Sequence, residues 1–149
     1  MSRNGGSMAL LSQLLDQKGH AVFAVASGAS VFDAIRIMAE RHVGALLVMD
    51  GQQLVGIVSE RDYARKVILM GRSSATTAVR EIMSSPVHTI GPEQTVDEAM
   101  RLMTERRIRH LPVVKMEKVV GVLSIGDLVK CVIEDQQHTI EDLRSYIRG

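Results

Sequence analysis

The sequence predicts an α/β (α+β) chain in which one β-α-β-β-α unit is used twice. The first observation is internal: residues 22–68 and 87–133 superpose without a gap, 65 residues apart. They agree at Val22/Val87, Val31/Val96, Ala34/Ala99, Met38/Met103, Leu46/Leu111, Gly56/Gly121, Ser59/Ser124 and Asp62/Asp127, among others. The second is periodicity. Within each copy an apolar set at helical spacing (Val31, Ala34, Ile35, Met38) is followed by two short hydrophobic runs joined by a tight polar turn. The third is the ending of each copy, Gly56-x-x-Ser59-x-x-Asp62 and Gly121-x-x-Ser124-x-x-Asp127. There a buried-type strand runs into a hydroxyl residue suited to capping a helix, with an acid in the first turn where the helix dipole favours it.

Taken in order, residues 1–7 are polar and Gly-rich and stay outside the predicted fold. A short helix is expected over 9–17, with Lys18 in its last turn and Gly19 ending it; its apolar run is too short for a signal peptide. His20 then reads as a surface or capping residue. The first repeat (22–69) is expected to hold a strand at 22–25, a helix opened by Ser30, strands at 45–49 and 54–58, and a closing helix. The connector 70–86 has a Gly71-Arg72-Ser73-Ser74 loop, a helix over 77–83 and a break at Ser84-Ser85-Pro86. The second repeat (87–134) repeats the pattern, with a strand at 87–90, a helix opened by Thr95 and strands at 111–114 and 119–123. Pro112 predicts an edge strand or a strand start there, since it lacks a ladder donor. A separate C-terminal helix is expected over 135–149, with Ile140, Leu143 and Ile147 on one narrow apolar stripe.

Composition excludes several classes. At 149 residues, 46% hydrophobic and 23% charged, the chain is long enough to bury a core, is too apolar for a disordered segment and has no run long enough to span a membrane. A net charge of +1, no Trp and few other aromatics argue against a nucleic-acid surface. The lone Cys131 can form no internal disulfide, which fits a reducing cytoplasm and a structural thiol. There is no metal-binding Cys/His spacing, no phosphate-cradling Gly-rich loop and no nucleophile elbow. Ser59 and Ser124 have no paired base in the sequence, so an enzyme is the weakest reading.

A cluster of cations stands out. Arg107, Arg109 and His110 crowd the start of the 111–114 strand, where the first repeat has Gly44 and Ala45 at the places of Arg109 and His110. Arg107 is equally well a helix-end charge complementing the dipole. In the first repeat Arg61 lies beside Asp62, where it has either a phosphate or Glu60 and solvent as partners.

The paired strands, the Gly-x-x-Ser-x-x-Asp ending, the leading helix with its Ala and Met, and the Leu111-Pro112-Val113-Val114 strand together resemble a CBS domain. A tandem pair of these is a Bateman module, here similar to stand-alone bacterial-type CBS proteins. The resemblance implies two repeats packed as a pseudo-twofold module and a regulatory rather than catalytic function: binding of an adenosine-containing nucleotide (AMP, ATP or NAD) in clefts between the repeats, with a change of shape or assembly. It implies Asp127 and Asp62 as ribose ligands, Ser124 and Ser59 as helpers, and Arg109 and His110 as phosphate ligands. Arg61 is the first repeat's substitute cation, and the surroundings of Thr89, Ile90, Ala24 and Val25 form the base pocket. It further implies a homodimer and a separate regulated protein. No metal, nucleic acid or membrane is expected, and the alternative is a ligand-independent dimerisation module.

Overall fold

The computed structural model describes residues 8–148; the segment 1–7 set aside above lies outside them. In chain order the elements are α1 (Leu11–Lys18), β1 (Ala24–Val25), α2 (Val31–Arg41), β2 (Ala45–Asp50), β3 (Gln53–Ser59), α3 (Glu60–Tyr63), α4 (Val96–Arg106), β4 (His110–Lys115), β5 (Lys118–Ser124) and α5 (Ile125–Arg148). A π-helical turn, Ala64–Ile68, continues α3, and a 3-10 turn, Val79–Glu81, lies between the repeats. The architecture is α+β: two β-α-β-β-α-like repeats with added terminal helices.

These elements form two compact units, and the division does not follow chain order. One unit is Val22–His88; the other joins the described residues up to Ala21 to those from Thr89 onward.

In the unit Val22–His88, β2 pairs antiparallel with β3 and parallel with β1, giving the order β1-β2-β3. The predicted helix start is correct: Ser30 Oγ accepts from the Asp33 N–H at 3.1 Å. Val31, Ala34 and Met38 then turn one face of α2 into a core with Leu46, Val48 and Val58. Val79 and Ile82, from the segment leading toward the second repeat, complete this core and are fully buried.

The other unit repeats the plan with a different closing piece. Here Thr95 Oγ1 caps α4 by accepting from the Glu98 N–H at 3.2 Å, and Val96, Ala99 and Met103 pack with Leu111, Val113 and Leu123. The core is closed by Leu11, Leu14 and Leu15 of α1. The backbone bonds match one for one. Val31 and Val79 N–H donate to the carbonyls of Thr77 and Ala29 (both 2.8 Å); Val96 and Leu11 N–H donate to those of Ala9 and Gln94 (both 2.9 Å). Even the side-chain caps match, Glu81 Oε2 accepting from Ala78 N–H and Gln13 Oε1 from Leu10 N–H. Residues 9–15 and 77–83 are therefore one structural element used twice, and each completes a core away from the strand it leads into.

Four expectations change. The connector helix at 77–83 is only the 3-10 turn Val79–Glu81. The C-terminal tail does not begin a helix of its own but continues α5, 24 residues long, without a break. The strand expected at 22–25 shortens to Ala24–Val25, and its counterpart at 87–90 reduces to a single parallel bridge, Ile90 to Val113. Pro112 explains the last point. In the first repeat Leu47 N–H donates to the Phe23 carbonyl at 3.1 Å; Pro112 occupies the place of Leu47 and has no N–H to give. The two remaining bonds, Ile90 N–H to Pro112 O (3.1 Å) and Val114 N–H to Ile90 O (2.8 Å), do not require it. Pro112 thus sits inside β4, an edge strand of the two-stranded β4-β5 sheet as expected, with only this isolated bridge on the side away from β5.

Candidate functional site

The second repeat gathers its candidate residues where β5 passes into α5. Antiparallel register sets His110 directly opposite Ser124, and the Ile125 N–H donates to the Arg109 carbonyl at 2.9 Å, so the start of β4 and the start of α5 form one corner. Inside it Ser124 and Asp127 cap each other: Ser124 N–H donates to Asp127 Oδ2 (2.8 Å), and Asp127 N–H donates to Ser124 Oγ (3.1 Å). Arg109 is exposed and His110 half-buried. Arg107 is the left-handed C-cap of α4 (φ 55°), a role it shares with His42 of α2 (φ 56°), so the structure gives it a capping function.

Lys18, expected only to end a helix, completes this corner. The Lys18 ammonium donates to Asp127 Oδ2 at 2.6 Å and to the Val122 carbonyl on the edge of β5. Burial opposes the charge on Asp127, but the bonds from Lys18 and from the Ser124 N–H outweigh it and hold the carboxyl below its ordinary range. Two residues on, His20 Nδ1 bonds the Val120 carbonyl and Nε2 bonds Asp16 Oδ1, both at 2.9 Å. The bond to Asp16, then that to Val120, raise the imidazole's pKa. In the first repeat the matching edge of β3 is paired instead by backbone, through Ile57 and Ser84. The sequence carries no local signal for Lys18, because the equivalence of 9–15 with 77–83, which places the end of α1 beside β5, rests on backbone bonds between distant segments.

The first repeat has the same cap with other neighbours. Asp62 Oδ2 accepts from Ser59 N–H (2.9 Å) and Ser59 Oγ (3.0 Å), Asp62 N–H donates to Ser59 Oγ (3.2 Å), and Lys66 approaches Asp62 Oδ1 at 3.4 Å. Where the second repeat presents Arg109, this one has Gly44 with the Glu60 carboxylate over it: a Cβ built on Gly44 would stand 3.1 Å from Glu60 Oε1. Arg61 is exposed at the start of α3. Of the residues expected near a base, Val25 and Ile90 direct their side chains into the two cores, being 8% and 6% exposed, whereas Ala24 and Thr89 are exposed. Among the described residues no group of three or more His, Cys, Asp or Glu is placed to hold a metal, and no helix is long and apolar enough to cross a membrane.

The CBS domain family model matches residues 19–68 and 79–134. The mitochondrial CBS domain-containing protein CBSX3 of Arabidopsis thaliana is 44% identical over 125 residues, which are 80% of this chain and 61% of that protein; the chain thus spans less than two thirds of that relative. A signal-transduction protein with CBS domains from Burkholderia ambifaria superposes with a TM-score of 0.82 at 51% identity, covering 86% of this chain and 96% of that one. More distantly, the CBS domain pair of protein MJ0100, solved in complex with 5-methylthioadenosine and S-adenosyl-L-methionine, superposes with a TM-score of 0.74 at 25% identity over 83% of this chain and 98% of that one. A cyanobacterial CBS-CP12 protein described as hexameric does so with 0.75 at 28% identity, over 95% and 89%. With both repeats matched, the chain belongs to the CBS domain family as a tandem pair.

Proposed function

We propose that the chain is a sensor that binds an adenosine-containing nucleotide of the AMP, ATP or NAD type and passes the event on through a change in conformation or assembly. The observation that carries this is the second-repeat corner. A part-buried carboxylate held ionised and a hydroxyl stand at the first turn of α5, and the backbone of two basic residues, Arg109 and His110, runs beside them, a set of groups suited to a ribose phosphate. In this reading Asp127 takes the ribose, Ser124 assists, and Arg109 with His110 meets phosphate. Thr89 and Ile90 contribute mainly backbone near the base. Asp62, Ser59 and Arg61, with Ala24 and Val25, form the first repeat's counterpart. Glu60 beside Gly44 makes that corner less hospitable to phosphate, so the two repeats differ in ligand preference. That a related pair was solved in complex with two adenosine compounds, 5-methylthioadenosine and S-adenosyl-L-methionine, supports the ligand class.

The assembly is proposed to be a homodimer that acts on a separate regulated protein. Exposed Ile68, Leu69 and Met70 in the first repeat, and Val129, Ile133, Ile140, Leu143 and Ile147 along α5, offer apolar surface for a second copy. Half-buried Cys131 suits a reducing compartment such as the cytoplasm.

Calorimetric titration of adenosine, AMP, ATP and NAD tests the reading. Asp127→Ala is expected to weaken all of them at least tenfold, corresponding to charge-assisted bonds of roughly 1.5 to 3 kcal/mol, and Arg109→Ala to weaken only those bearing phosphate. Absence of binding by the unaltered chain, with no rise in its melting temperature, would leave ligand-independent self-association as the function.

A further inference from the structure

We propose that Lys18 is a ligand-contacting residue, forming with Asp127 a donor-acceptor pair that reads a ribose hydroxyl; this rests on the nucleotide reading above. An ammonium has three N–H donors. Two are committed, to Asp127 Oδ2 and to the Val122 carbonyl, on a side chain still 36% exposed. Asp127, 25% exposed, receives both Lys18 and the Ser124 N–H on Oδ2, and a carboxylate has two oxygens to offer. The pair therefore presents a donor next to an acceptor.

That combination selects its ligand chemically. A hydroxyl donates one hydrogen and accepts another, so it satisfies carboxylate and ammonium together. A phosphate only accepts, and would lie against the Asp127 charge. The phosphate consequently belongs with Arg109 and His110, and Lys18 with the sugar. The ammonium is also fixed before any ligand arrives. Leu11, Leu14 and Leu15 bury α1, Gly19 N–H closes it onto the Leu15 carbonyl at 2.7 Å, and His20 ties the following turn to Val120. Little side-chain freedom remains to be lost on binding. The first repeat pairs its groups differently: Ser59 supplies both bonds to Asp62 Oδ2, and Lys66, from the same helical stretch, donates to the Ile82 carbonyl at 2.9 Å and lies against the other carboxylate oxygen, Oδ1, at 3.4 Å.

The test is calorimetric titration of adenosine, 2′-deoxyadenosine, 3′-deoxyadenosine and AMP into the full chain and its Lys18→Met, Lys18→Arg and Asp127→Asn variants. The unaltered chain is expected to prefer adenosine to at least one deoxy form by about tenfold, the worth of one charged hydrogen bond. In Lys18→Met adenosine and AMP should weaken by equal factors and the preference should collapse; Lys18→Arg should restore part of it. Loss of affinity with the preference intact would mean that Lys18 only anchors α1, and unchanged binding would mean that it does nothing at the site; either overturns the proposal while Asp127→Asn still reports on the nucleotide reading. Binding without any preference in the unaltered chain also overturns it, whether or not the Lys18 variants fold. Absence of binding of all four compounds by the unaltered chain would instead sink the nucleotide reading on which it rests.

Discussion

Leu15 lies across Gly121 so closely that a Cβ added to the glycine would stand 2.5 Å from Leu15 Cδ2. The same contact recurs in the other unit, where a Cβ on Gly56 would meet Met83 Sδ at 2.6 Å. The repeated glycine is thus a packing position, over which the closing segment of each unit crosses the sheet. Gly121→Ala is expected to cost about 1 to 3 kcal/mol by overpacking, because Leu15 is fully buried. Gly56→Ala should cost less, since the unbranched Met83 side chain adapts more easily, although the Ser84 carbonyl oxygen, 3.1 Å from the added Cβ, must also give way slightly. Urea denaturation of both variants checks the order.

The β4–β5 turn carries avoidable strain. Met116 and Glu117 both have left-handed backbone (φ 51° and 66°), as the two-residue hairpin requires, yet neither residue suits it. Met116 is 87% exposed, so its side chain has little packing to lose. Replacing the pair by Asn-Gly should stabilise the protein by about 1 kcal/mol or more, seen as a higher melting temperature. No rise would mean that the native turn relieves the strain in some other way.

His20 should make the anchoring of α1 pH-dependent. With both ring nitrogens protonated it donates to Asp16 and to the Val120 carbonyl, which raises its folded-state pKa above the ordinary 6.5. A raised pKa contributes stability that is fully present below 6.5 and is lost as the pH climbs through the folded value. Imidazole titration by NMR should place the His20 midpoint above 6.5, and Asp16→Asn should lower it. Because the site is exposed the effect on global stability should be small, while amide exchange in α1 should quicken on the alkaline side.

Beyond Val132 the described side chains of α5 are exposed, and its apolar residues Ile133, Ile140, Leu143 and Ile147 follow one another at seven, three and four residues. Unsupported helix of this length is marginal in water. Ile140→Lys with Leu143→Lys should therefore lower the fraction of dimer in light scattering and reduce helicity in circular dichroism. A dimer unaffected by both changes would move the interface elsewhere, with Ile68, Leu69 and Met70 next to be altered.

By itself the sequence determined the repeated unit, its helix starts and the capping pairs, because these are local. Ser30, Ser59, Thr95 and Ser124 each bond an N–H three residues on, and the apolar faces of α2 and α4 are set by spacing alone. The local part of the candidate site was legible for the same reason: Ser124 with Asp127, and Ser59 with Asp62, sit within one turn of each other. Only the tertiary structure decided which segment closes which core. Residues 9–15 and 77–83 share little beyond apolar spacing, and nothing local tells a short amphipathic piece to pack on a distant repeat; burial of Leu11, Leu15, Val79 and Ile82 does. From that packing follow the bonds from Lys18 to Asp127 and from His20 to Val120, contacts across about a hundred residues of chain that a scan of neighbours cannot reach. The loss of a strand at 87–90 is nonlocal as well, since it depends on the N–H that Pro112 lacks in the strand alongside.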